Sequence, residues 1–172
     1  DLHNAHEHPH VTGTFLPKYH GPRPDTLFYT LPYPHVAIIG VDVLGSVIMG
    51  TPAEPYKMTG VGLSFVPPCL DKSLIDAAYV VPETIGYSLC HALAKKDGLL
   101  LGASSGVILA GALKYGSLCP KGSRIVMINP DRGDRYLETI YDAHWLETHG
   151  FRIHENEELE NDIASLETIR FS

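Results

Sequence analysis

Three short, nearly continuous apolar runs constrain this chain more than anything else in it: Val36-Ala37-Ile38-Ile39-Gly40-Val41-Asp42, Tyr79-Val80-Val81 and Ile125-Val126-Met127-Ile128. Runs of β-branched residues without polar alternation suit strands covered on both faces, as in a parallel sheet. Helical patterns lie between them. Pro82-Glu83-Thr84 opens one, with a proline and an acid suited to a first turn, and Ile85, Leu89 and Leu93 recur at fours behind it. Lys95 and Lys96 suit the last turn of that helix, and Gly98 its stop. A second helix is expected from Ser105 to Tyr115, ended by Gly116, and a third from Asp134 to His149, with Leu137, Ile140, Tyr141 and Leu146 as its apolar set. Leu99–Leu101 reads as a short strand. This alternation predicts an α/β fold, a mostly parallel sheet with flanking helices joined by right-handed crossovers.

The 172 residues favour one domain with appended segments. Residues 1–35 carry prolines at 9, 17, 22, 24, 32 and 34 and histidines at 3, 6, 8, 10, 20 and 35. Proline removes amide donors, so this stretch reads as an irregular leader without regular pairing. Residues 36–150 form the α/β domain, and the connection at 43–77 is long enough to be functional or to hide a short helix. Residues 151–172 hold six acids and two arginines and read as an acidic, solvated tail. The first residue is Asp1, which suggests a fragment or a processed product. The formal charge is −7 with no basic stripe, which argues against a nucleic-acid partner. No apolar run approaches the roughly 18 residues of a membrane span. Cys69, Cys90 and Cys119 are odd in number and form no CxxC pair, which fits a reducing, cytoplasmic setting and no zinc or disulfide framework. His6-x-His8-x-His10 has metal-ligand spacing if extended, but no acidic or cysteine ligands accompany it, and no metal site is expected.

Three glycine-bearing segments have the composition of ligand sites. Gly102-Ala103-Ser104-Ser105-Gly106 sits at a strand-to-helix turn, where helix amides form an electropositive end and either serine can cap the helix or contact a ligand. The same segment matches G-x-S-x-G, so Ser104 followed by Asp131 or Asp134 and then His144 or His149 has the chain order of a serine hydrolase, although no HGGG-type segment precedes it. Thr59-Gly60-Val61-Gly62 would let backbone amides approach a planar or anionic ligand, or is simply a flexible loop. Asn129-Pro130-Asp131-Arg132-Gly133-Asp134-Arg135-Tyr136 follows a strand, on the edge where open α/β sheets place ligands. Arg132 and Arg135 there could hold a carboxylate or phosphate, or form ordinary surface ion pairs.

In this order the segments resemble the C-terminal half of the fold type II pyridoxal-phosphate (PLP) enzymes of the cysteine synthase and cystathionine β-synthase family. The resemblance is carried by Ile39-Gly40-Val41-Asp42, Lys57-Met58-Thr59-Gly60-Val61-Gly62, Phe65-Val66-Pro67, Ser73-Leu74-Ile75-Asp76, Gly98 to Gly106, and Pro130 to Leu137. Within it, Val41 to Gly50 and Asp131 to Tyr141 are most similar to the siderophore-pathway enzymes of 2,3-diaminopropionate biosynthesis, which join O-phosphoserine to glutamate.

The resemblance implies β-replacement on a PLP cofactor, with phosphate or acetate leaving an activated serine and an amine taking its place. It implies that Ser104 meets the pyridine nitrogen, that Gly60, Gly62 and Gly102 lie beside the cofactor, and that Arg132 and Arg135 are on the substrate side. The Schiff-base lysine and the asparagine loop of the family have no counterpart here, and none of the lysines at 18, 57, 72, 95, 96, 114 and 121 lies in a matching motif. The resemblance also implies a Gly/Thr-rich phosphate-binding loop just before Val36, where this chain has proline-rich sequence and only Gly13 and Thr14 as a poor remnant. The isolated chain is therefore expected to show little or no PLP chemistry. The competing expectation is a non-catalytic binding module that pairs with itself or with a complementing subunit.

Overall fold

The computed structural model describes residues 36–171 and the backbone of 10–13. Four strands form one sheet in the order β3-β2-β1-β4, with β1 at His10–Gly13, β2 at Val36–Val43, β3 at Ala77–Val81 and β4 at Arg124–Met127. Every pairing is parallel. The three apolar runs thus become strands.

β1 corrects the reading of residues 1–35 as wholly unpaired. His10-Val11-Thr12-Gly13 contains no proline, and it fills the slot between β2 and β4, pairing His10 with both Val36 and Arg124. Two parallel neighbours with free backbone groups are a stronger determinant than the proline content around the segment. The His6-x-His8 part of the histidine motif lies outside the described residues.

Alternate side chains of β2 and β3 go to opposite faces, as a strand dictates. Ile39, Val41, Val43, Ala77, Tyr79 and Val81 share a core with α1 (Glu83–Asp97) and α2 (Ala103–Gly116). Ala78 and Val80 pack on the other side with Ile48, Met49, Ile75 and Ile169. β4 differs from the expectation of burial on both faces. Its Ile125 packs into the core while Val126 is 56% exposed, because α2 covers one face of this edge strand and no described element covers the other.

α1 ends as read, with Gly98 in a left-handed conformation (φ 68°) donating its N–H to the Leu93 carbonyl. The long connection after β2 contains one 3-10 turn, Lys72–Leu74, capped by Asp71.

Two predicted elements are not formed. Leu99–Leu101 is no strand; Leu101 makes a single antiparallel bridge to Arg132. The helix expected over 134–149 is broken into a 3-10 turn at Gly133–Tyr136 and a short α3 at Ala143–Thr148. Asp142 restarts the helix by accepting the Trp145 N–H at 2.6 Å. The phenols of Tyr136 and Tyr141 bond Asp131 and the Leu101 carbonyl.

The acidic C-terminal segment is not a solvated tail. It forms α4 (Asn156–Ser165) and then a bridge from Ile169 to Ala78 at the free edge of β3. Most of its acids are exposed, with Asp162 partly buried against His154, but Leu159 and Leu166 belong to the main core. Among the described residues, no helix is long and apolar enough to cross a membrane.

Candidate functional site

The parallel sheet directs its carboxyl ends toward one rim, and the turn into α2 lies there. Gly102 donates its N–H to the Asp131 carbonyl at 3.1 Å, and Gly133 donates to the Leu100 carbonyl at 2.9 Å. These bonds join two of the glycine-bearing segments across 30 residues of sequence. Tyr141 completes the junction, donating its hydroxyl to the Leu101 carbonyl at 2.7 Å and accepting the Leu101 N–H at 3.2 Å.

Gly102 is the N-cap of α2, and neither serine caps the helix. The reason is steric. A Cβ at Gly102 would lie 1.8 Å from Asp131 Oδ1, so only glycine lets the carboxylate settle against the helix start. Ser104 is 5% exposed and its hydroxyl has no hydrogen bond among the described residues. Ser105 Oγ and Asp131 Oδ1 are both buried without a partner. Unpaired polar atoms in a protein interior are costly, and their clustering at a helix N-terminus marks a place built to receive a polar ligand.

The third segment joins through Tyr136. Its hydroxyl donates to Asp131 Oδ2 at 2.7 Å and lies near Thr59. Burial, followed by the Asp131 carboxylate, pushes the Tyr136 phenol above its ordinary range, and Thr59 and Arg135 act in the opposite direction. Cys90 lies beneath the turn, donating to the Gly102 carbonyl at 3.4 Å, and burial pushes its thiol up to about 11, so it is a neutral structural group.

Gly60 and Gly62 adopt left-handed φ values of 81° and 75°. Gly62 also packs tightly, since a Cβ there would come within 2.8 Å of Val43 Cγ1 and 2.7 Å of the Tyr56 hydroxyl. Arg132 and Arg135 are exposed, and Arg132 pairs with Asp134 at 3.2 Å, a contact of small energetic weight in water. The structure therefore brings Ser104, Gly102, Asp131, Tyr136 and the Thr59–Gly62 loop together and leaves both arginines at the surface.

The hydrolase arrangement is not formed. His144 is exposed, His149 stacks on Trp145 at 4.2 Å between ring centroids, and Asp134 faces Arg132. Breaking the predicted third helix carries both histidines to the surface, so no described histidine bonds the Ser104 hydroxyl. Among the described residues, no group of three or more His, Cys, Asp or Glu side chains could hold a metal ion.

Asp42 stands at the carboxyl end of β2. It is 2% exposed, and Oδ2 has no partner. Burial raises its carboxyl above the ordinary 3.8, opposed by Ser46 and by the Val43 N–H. A raised folded-state value means that Asp42 contributes stability fully below pH 3.8, and that this is lost as pH rises through the raised value. Asp42→Asn, neutral throughout, is expected to gain on the wild type as pH rises above 3.8, measured by urea denaturation across a pH series. Parallel stability curves for the two proteins would contradict this.

Fold and rim together define a class: an open parallel α/β domain of fold type II, with its polar cluster at the start of the helix that follows the glycine-serine turn. The chain belongs to the pyridoxal-phosphate dependent enzyme family, whose model matches residues 27–131. It is 40% identical over 104 residues to cysteine synthase from Helicobacter pylori, covering 60% of this chain and 34% of that protein. It is 34% identical over 117 residues to N-(2-amino-2-carboxyethyl)-L-glutamate synthase from Cupriavidus metallidurans, covering 66% of this chain and 34% of that protein. The crystal structure of the O-acetylserine dependent cystathionine β-synthase from Helicobacter pylori aligns with a TM-score of 0.62 at 33% identity, covering 77% of this chain and 43% of that one. The chain spans about a third of the length of the curated relatives it matches.

The residues present fit one end of PLP. An unpartnered hydroxyl at Ser104 has the neutral hydrogen-bonding character that a pyridine nitrogen can use. No described lysine joins the cluster: Lys57 is exposed, Lys95 pairs with Glu155 and Lys114 donates to the Ala164 carbonyl. Gly13 closes β1 at the carboxyl end of the sheet, and Thr14 lies outside the described residues.

The sequence reading missed Tyr136 as the link between segments, and it took Glu83 only as a first-turn acid. The one sequence signal was the i,i+4 spacing of Glu83 and Tyr87, which bond at 2.7 Å.

Proposed function

We propose that this chain supplies the ring-nitrogen side of the cofactor site in a β-replacement enzyme that acts on an O-activated serine, with the amine of glutamate as the incoming nucleophile. PLP, when bound, supplies the electron sink that lets a β-substituent leave. Ser104 meets the ring nitrogen with a neutral hydroxyl. Unlike a carboxylate, it does not hold that nitrogen protonated, which limits delocalisation and favours elimination over transamination. Gly60 leaves open space beside the ring, while Gly102 and Gly62 let the turn and the loop pack closely around it. Arg132 and Arg135, free of the buried cluster, stand on the substrate side for an anionic group. The glutamate assignment is supported by Val41 to Gly50 and Asp131 to Tyr141 and by the similarity to the Cupriavidus synthase. Cys69, Cys90 and Cys119 of this chain form no disulfide, in keeping with a reducing cytoplasmic setting.

The observation that carries this reading is Ser104 at the first turn of α2, a residue 5% exposed whose hydroxyl makes no hydrogen bond among the described residues. A PLP titration followed by cofactor fluorescence tests it. Ser104→Ala is expected to weaken binding about tenfold, the loss of one hydrogen bond worth about 1.4 kcal/mol, at unchanged thermal stability. Equal affinity in both proteins would remove the reading.

A second reading concerns the chain alone. Val126 and Ile128 are 56% and 40% exposed on the open side of β4, a surface suited to a complementing, lysine-bearing half. We propose that the isolated chain binds PLP without a covalent link. Borohydride reduction followed by mass spectrometry is expected to leave the chain unmodified; a pyridoxyl-lysine adduct would contradict it.

A further inference from the structure

The Thr59–Gly62 loop turns twice through left-handed glycine, so its own backbone does little to restrict its shape. It is held from outside at both ends. On one side Glu83 Oε1 accepts the Lys57 N–H at 2.8 Å, the Met58 N–H at 2.6 Å and the Tyr87 hydroxyl at 2.7 Å. On the other, Ser46 Oγ accepts the Leu63 N–H at 3.0 Å and donates to the Leu63 carbonyl at 3.2 Å. Between the two clamps Thr59 lies near Tyr136, whose hydroxyl bonds the Asp131 carboxylate beside Gly102.

The Glu83 clamp is the stronger of the two. A carboxylate accepts amide hydrogens more strongly than a hydroxyl does. Glu83 also stands in the first turn of α1, where the helix amides favour its charge. Tyr87, 1% exposed and one turn further along α1, fixes the carboxylate from behind. Met58, the second amide held, is 5% exposed, so this end of the loop is anchored by burial as well as by hydrogen bonds.

We propose that Glu83 is a positioning residue: it grips the Lys57–Met58 amides and thereby holds the Thr59–Gly62 loop in place near Tyr136, beside the start of α2. This rests on the reading of that cluster as a cofactor site. Glu83 touches neither cofactor nor substrate; it acts through the loop. The proposal predicts that the loop is ordered before any ligand arrives and that losing the carboxylate loosens the loop selectively.

Trypsin reads this directly on the full chain, because Lys57 is exposed while the bond after it is held, and Lys96 at the end of α1 is an exposed internal control. In Glu83→Ala, cleavage after Lys57 relative to Lys96 is expected to rise about tenfold or more, the cost of unpairing these amides. Glu83→Gln keeps a carbonyl oxygen at the same place and is expected to restore protection to within about threefold of wild type. A general loss of stability would raise both sites together. Equal acceleration at Lys57 and Lys96, or a Gln variant as open as the Ala variant, would overturn the proposal.

Should Glu83→Ala fail to fold, hydrogen exchange on the wild type decides: the Met58 amide is expected to exchange about tenfold or more slowly than that of Thr59, and equal rates would overturn the proposal. PLP affinity, measured on the same variants, is expected to fall in the order wild type, Gln, Ala. A wild type that binds no PLP would sink the cofactor reading while leaving the Lys57 result to stand or fall alone.

Discussion

Gly106→Ala is expected to destabilise the protein by about 3 kcal/mol, near the upper end of overpacking costs. A Cβ there would lie 2.0 Å from the Gly86 carbonyl oxygen and 2.8 Å from Cys90 Sγ. The first of these is backbone, which a side-chain rotation cannot relieve. α1 and α2 cross at this point with glycine on both helices, and Gly86 is itself packed against Val107. Helix propensity runs the other way, favouring alanine by about 1 kcal/mol, so the predicted sign is set by packing alone. Gly116→Ala is the matched comparison. Its Cβ would meet only Ile125 Cδ1, at 2.8 Å, the far end of a flexible side chain. Urea denaturation of the two variants should separate by several kcal/mol. Equal midpoints would show that α1 and α2 do not cross as described. The crossing matters to the site because it sets where α2 begins, and with it where Ser104 stands.

Leu159→Ala is expected to cost about 2 kcal/mol or more, in the range of large-to-small changes in a core. Leu159 is 6% exposed although it lies on α4, within a segment rich in acids. Leu166, 7% exposed, is expected to behave alike. The segment is tied further by Ser88, whose hydroxyl accepts the His154 N–H at 2.8 Å, and by the edge-on contact of Phe151 with Tyr87, 4.9 Å between ring centroids. A solvated tail would tolerate Leu159→Ala without measurable change, so a denaturation midpoint equal to wild type would return residues 151–171 to that description.

Much of the domain core was legible because its signals are local. β2, β3, α1 and α2 each announce themselves through apolar period, first-turn acid or terminal glycine, and each formed within a few residues of its expected bounds. Elements decided by partners were not legible. Four proline-free residues of the leader became β1 because two strands offered open backbone groups on either side. The predicted third helix is interrupted where Asp142 accepts the Trp145 amide, while Tyr136 bonds the nearby Asp131 and Tyr141 bonds the Leu101 carbonyl, 40 residues earlier in sequence. For the acidic segment, charge density masked a sparse apolar set of Leu159, Ile163 and Leu166, which has value only once a core exists to receive it.

The candidate site divides in the same way. Sequence alone determined the residue types: three glycine-bearing segments, a serine pair at a helix start, and their order along the chain. That these lie together, that Asp131 rather than a serine occupies the space beside Gly102, that Glu83 reaches back to a loop 25 residues earlier, and that Arg132 and Arg135 remain in solvent were decided only by the tertiary structure. The physical reason is reach. Backbone preference acts over one or two turns and is written in neighbouring residues. A hydrogen bond or a steric limit between segments depends on where the sheet and the helix crossing have already placed their ends.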